Sequence, residues 1–164
     1  MSFQKQVNAN QALGNVGQIS KAHHSFLNVI PAIAADDFVK VGSFVQSSST
    51  ATNENEVIGT SGKAISGSIL GVVVRDSLKV AGDSTPTLEI KKGENCAILT
   101  EGSIFIEVNA IAKKGQYVFL KTADGSLGFY NASTQSGYTY TGFRVSKGND
   151  TATAGLIEIT TARA

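Results

Sequence analysis

One phrase, said twice between Leu88 and Tyr130, constrains this chain more than any other feature of its sequence. The first copy runs Lys91, Lys92, Gly93, an apolar stretch through Cys96, Ala97, Ile98 and Leu99, then Glu101, Gly102, Ser103 and a second apolar stretch, Ile104 to Val108. The second runs Lys113, Lys114, Gly115, then Tyr117, Val118, Phe119 and Leu120, then Asp124, Gly125, Ser126 and Leu127 to Tyr130. An acidic residue followed by glycine between β-branched or aromatic runs marks a tight hairpin, because glycine supplies the positive φ such turns demand. Each copy therefore predicts a strand, a turn and a strand. Two such hairpins joined by a charged corner predict a meander inside a small sheet or barrel.

The rest of the chain reads the same way from residue 26 onward. Phe38, Lys40 and Gly42 alternate with Val39 and Val41 as in a half-buried strand, and the unbroken apolar run Ile69 to Val74 fits a strand covered on both faces. Gln46 to Glu56, rich in Ser, Thr and Asn, carries the signature of a loop. Tyr138, Tyr140, Phe143 and Val145 mark a further strand, and Leu156 to Ile159 closes the fold. The tally is nine to eleven short strands with glycine-rich turns and no amphipathic helix, an all-β barrel or sandwich. Residues 1–25 differ: they are rich in Gln, Asn, Ala and Gly, with apolar side chains scattered singly, and read equally as an extended arm or a frayed terminus. The expected division is an arm over residues 1–25 and a barrel-like domain over 26–164.

Function classes fall away in turn. A net charge of +1 across 164 residues gives no basic excess for a nucleic-acid partner. The longest apolar stretch, Leu27 to Ala35, is broken by Asn28 and Pro31, so no membrane span is expected. Cys96 is alone and inside an apolar run, the place of a buried reduced thiol in a protein assembled in a reducing cytoplasm. His23 and His24 are adjacent but lack Cys or carboxylate at ligand spacing, so no metal is expected. Asp36 and Asp37 read as turn residues, and Lys91, Lys92, Lys113 and Lys114 as solvated corner charges. The acceptor patterns at Asn131 and Asn149 are too short to imply glycosylation. No catalytic constellation or cofactor motif is present, which predicts a non-enzyme without cofactors.

The order of several short motifs resembles the cement, or head decoration, proteins of tailed bacteriophages. They are Ser2, Phe3, Gln4 with the polar arm behind them, Val41 to Val45, Gly71 to Arg75, Ile90 to Val108, Gly115 to Phe119, and Thr141 to Val145 with Leu156 to Ile159. The likeness spans nearly the whole chain, though the Trp residues common on the strands of such proteins are absent. The resemblance implies a β-barrel or β-tulip domain with an extended N-terminal arm. It also implies a homotrimer on the virion exterior that binds the major capsid protein lattice at threefold and quasi-threefold sites and stabilises the head against DNA pressure. The arm would reach its partners through Phe3, Gln4, Val7, Leu13, Val16, Ile19 and Phe26. Competing readings are a tail, baseplate or fibre-associated β-domain, and a host-adhesion or carbohydrate-binding module, which would need exposed aromatic platforms.

Overall fold

Unbroken apolar runs give several strands here two faces to bury, and the fold provides two cores. The computed structural model describes residues 14–20, 27–48, 53–75 and 88–161, which hold twelve strands and no helix. The first six are β1 (Asn28–Ala34), β2 (Val39–Lys40), β3 (Phe44–Ser47), β4 (Glu56–Gly59), β5 (Ile69–Val73) and β6 (Glu89–Ile90). The others are β7 (Asn95–Glu101), β8 (Ser103–Val108), β9 (Tyr117–Lys121), β10 (Leu127–Tyr130), β11 (Tyr138–Lys147) and β12 (Gly155–Thr161). Strands β1, β4, β3, β5 and β7 close into a barrel in that order, and β10, β9, β11, β12 and β8 form a five-stranded sheet beside it. The protein is all-β, as the sequence predicts.

Where each core sits follows from the parity of three shared strands. Val45, Val73 and Ile98 point into the barrel with Ala32, Ala34, Val39, Val57 and Ile90. Their neighbours Phe44, Val72 and Leu99 point out of it, against Ile104, Ile106, Val118, Leu120, Phe143, Val145, Ile157 and Ile159 of the sheet. One wall of the barrel is thus also the floor of the sheet, which is why Ile69 to Val74 shows no polar alternation. The Phe44 and Phe143 rings meet edge to face across this junction, centroids 5.7 Å apart. Such a pair adds about 0.5–1.5 kcal/mol beyond the area it buries.

The doubled phrase is half a true repeat. Its lysine corners are the same device twice: Gly93 and Gly115 take φ of 86° and 90°, and the side chains of Glu94 and Gln116 accept the backbone N–H of Lys91 and Lys113. Its second hairpin also forms, with Leu127 opposite Leu120 and Tyr130 opposite Tyr117. The first hairpin does not. Strand β7 pairs with β1 and β5 in the barrel, whereas β8 pairs with β12 in the sheet, so Gly102 is a crossing point between layers. The local signal at Glu101 to Ser103 was that of a turn, but burial of both apolar runs is better served by different layers.

Three other expectations need correcting. The polar stretch at 46–56 is not loop throughout: Gln46, Ser47 and Glu56 are strand residues, and Gln46 is wholly buried. Its Nε2 donates to the Ala64 carbonyl, and its Oε1 accepts the N–H groups of Ser66 and Gly67, so an internal amide stands in for backbone pairing of residues 64–67. Cys96 is half-buried against the barrel core rather than fully enclosed. Strand β11 is interrupted between Tyr140 and Arg144, which places Thr141, Phe143 and Val145 inward and Tyr138 and Tyr140 outward.

Candidate functional site

Two surfaces stand out, the first belonging to the expected arm. Phe3, Gln4, Val7, Leu13 and Phe26 lie outside the described residues, as do His23 and His24. Val16 and Ile19 are described, and the chain around them is fastened to its own domain. The Gly17 N–H donates to Phe105 O, Phe105 N–H to Gln18 O, and Ser20 N–H to Ser103 O, forming a short antiparallel bridge along β8. On its other side the Gly17 carbonyl accepts the Arg75 N–H, reaching from the sheet to the end of barrel strand β5. Ile19 packs on the core beneath the sheet, and both Val16 and Ile19 remain partly exposed. The stretch 14–20 therefore covers what would otherwise be an open strand edge.

The second surface is the outer face of β9, β10 and β11. On β9 the aliphatic residues Val118 and Leu120 face the core, which sends Tyr117 and Phe119 to the other side. On β10 Phe129 packs inward and Tyr130 outward, and on β11 Tyr138 and Tyr140 join them. All four tyrosines of the chain meet here. Phe119 lies wholly buried between Tyr130 and Tyr140, with centroids 5.8 and 5.4 Å away, while Tyr117 meets Tyr140 at 5.5 Å and Tyr130 meets Tyr138 at 5.2 Å. Interplanar angles of 49° to 73° turn the rings steeply against one another, so the cluster is a rigid relief rather than a flat platform for a sugar ring. Gly128 leaves the notch that the rings of Tyr130 and Tyr138 fill, since a Cβ there would lie 2.7 Å from one ring and 2.9 Å from the other.

Arg144 places a positive charge on this face, and Lys121, opposite Tyr138 and paired with Asp124, lies at its edge. Its guanidinium lies 4.1 Å over the Tyr117 ring, and Nη2 donates to the Tyr117 hydroxyl at 2.6 Å. Burial pushes the Tyr140 hydroxyl up from its ordinary pKa, opposed by hydrogen bonding to and the charge of Arg144. The Tyr130 hydroxyl is raised by its hydrogen bond with Tyr138. The sequence holds a signal for this face: on β9 the aromatics Tyr117 and Phe119 alternate with the aliphatics Val118 and Leu120, and on β11 Tyr138 alternates with Tyr140 about Thr139, the register then bringing Tyr140 opposite Phe119.

The remaining candidates are structural. Asp36 accepts the N–H groups of Phe38 and Gly59 and pairs with Lys63 at 2.6 Å, while Asp37 accepts the Lys92 N–H, so the two carboxylates serve separate turns. Asn149 is the hub of its loop, bonding the carbonyls of Thr151 and Thr153 and the N–H and hydroxyl of Thr151. Among the described residues no three His, Cys, Asp or Glu converge as a metal site. A cleft of about 510 Å³ opens past the end of β11, bordered by Lys113, Lys114 and Lys147 against Asp150 and Glu158.

The sequence from residue 3 to residue 162 matches the model of the phage structural cement protein family, that of E217 gp24 and Pam3 gp6. The chain belongs to this family. Cement proteins of this family are structural components of phage particles, and the match bears out the resemblance carried by the short motifs. No curated protein matches the chain. Among solved structures, one from the capsid of Myoviridae phage XM1 is similar in fold, with a TM-score of 0.60 at 18% identity, covering 98% of this chain and 97% of that one. The N base of head fibre gp8.5 of bacteriophage phi29 aligns at a TM-score of 0.45 and 10% identity, over 85% of this chain and 97% of that one.

Proposed function

We propose that this cement protein holds a phage head together from outside. It binds the outer surface of the major capsid protein lattice, as trimers at threefold and quasi-threefold sites, and stabilises the head against the pressure of packaged DNA. It works by making contacts and transforms no substrate, and it joins the shell after synthesis in the host cytoplasm. Family membership across residues 3–162 carries this reading. A ligand that binds only the closed shell stabilises the shell by its binding free energy, repeated at every occupied site. Three linked copies gain further, because the second and third attachments become intramolecular.

The arm is assigned to the partner contacts through Phe3, Gln4, Val7, Leu13, Val16, Ile19 and Phe26. Fixing a free backbone costs about 1–2 kcal/mol per residue, so the arm is useful only where its apolar side chains find recesses on the shell or a neighbouring copy. The bridge of residues 14–20 to β8 lowers that cost by fixing the arm's root in advance. The test is to add purified protein to shells stripped of it, then count bound copies per shell and measure the temperature at which shells burst. Saturable binding in multiples of three and a higher bursting temperature are expected. Protein that leaves shells bare, or turnover abolished by changing one side chain, overturns the reading.

A further inference from the structure

We propose that the tyrosine face is a docking site for a carboxylate-bearing segment of the shell protein, with Arg144 as the group that receives the carboxylate. This rests on the cement reading above and names the chemistry of one of its contacts. Among the described residues Arg144 has no carboxylate within ion-pairing distance. Its neighbours are the phenols of Tyr117 and Tyr140, and its Nε is buried without a hydrogen-bond partner. Glu158, two residues from Arg144's cross-strand partner Thr160, makes no ion pair with it and keeps its own Oε1 buried and unpartnered. A half-buried cation whose contacting groups are neutral phenols has lost hydration without a paired counter-charge, and an incoming carboxylate restores that balance. The guanidinium is also held in one orientation by its stack on Tyr117 and its bond to the Tyr117 hydroxyl, so its charge is presented to an incoming anion in a fixed direction.

The surroundings fit the same partner. Ser146 follows Arg144 by two residues on β11 and lines the cleft where Lys113, Lys114 and Lys147 stand against Asp150 and Glu158, so lysines outnumber carboxylates beyond Arg144 along the strand. Tyr and Arg are among the side chains most enriched where interfaces concentrate their binding energy, and rings already locked edge to face lose little freedom on contact.

The experiment compares the full chain with R144Q, R144K and R144E for binding to stripped shells across a salt series. Unchanged unfolding midpoints and near-ultraviolet spectra identify the variants whose fold is intact. R144Q is expected to bind about 10-fold or more weakly, R144E more weakly still, and R144K to recover part of the loss at low salt. R144K treated with a zero-length carbodiimide is expected to cross-link at position 144 to an Asp or Glu of the shell protein, a readout independent of affinity and of any change in stability. Wild-type protein that binds shells while R144Q and R144E bind equally well overturns this inference and leaves the cement reading standing. A cross-link to another copy of this chain, or retention by immobilised glycans that depends on Arg144, likewise overturns it. Failure of the wild type to bind shells overturns the cement reading instead.

Discussion

Gln46 offers the sharpest test of how the barrel is built. Its side chain is wholly buried at the end of the shared wall, and its amide makes three hydrogen bonds to the backbone of residues 64–67. Replacing it with Met keeps the volume and removes every one of those bonds. Leaving a buried partner unsatisfied costs about 1–3 kcal/mol per group. Ser66 and Ala64 are exposed, so water recovers part of the loss, and about 1 kcal/mol for each of the three groups is the working figure. A loss near 3 kcal/mol lowers the melting temperature by about 6–12 °C in a domain of this size. Urea unfolding of Gln46→Met and Gln46→Ala gives the difference directly, and hydrogen exchange should accelerate at the Ser66 and Gly67 amides ahead of the core strands. A Met variant within about 0.5 kcal/mol of wild type, with those amides still protected, refutes the reasoning.

Three further outcomes are expected. Asp124, bonded to the Ser126 hydroxyl and N–H and then to Lys121, has a pKa lowered to about 2. Because the folded value lies below the ordinary one, its contribution to stability is present above the unfolded pKa and disappears as pH falls through about 2; an NMR titration of the Asp124 carboxyl reads the midpoint, and Asp124→Asn should remove that part of the acid dependence. Gly125→Ala should destabilise by more than about 1 kcal/mol in urea, since φ is 67° and the new Cβ would overlap the Thr60 carbonyl oxygen. Deleting residues 1–20 should lower the unfolding midpoint below that of a 1–13 deletion, because the four backbone hydrogen bonds from 14–20 to Phe105, Ser103 and Arg75 go with them.

What could be read from the sequence was whatever a few neighbouring residues decide. The lysine corners, the Asp124 hairpin and the double-sided burial of Ile69 to Val74 all depend on turn chemistry and side-chain parity, and all are found in the fold. The Glu101 to Ser103 passage failed because its local pattern is shared by a hairpin and by a strand that changes layers, and only long-range pairing separates the two. Gln46 failed for a similar reason: a glutamine among Ser and Thr looks solvated until the loop that it supports folds over it. The tyrosine face was half visible, since the aromatic parity on β9 and β11 is in the sequence, while the convergence with Tyr130 and Arg144 comes from strand order.

Strands β3, β5 and β7 each give one side to the barrel interior and the other to the sheet. No seam therefore runs between the two layers along which the molecule could come apart while either half stayed whole. A tug on the outer sheet is carried straight into the staves of the barrel, as it would be in a rivet whose head and shank are forged from one piece.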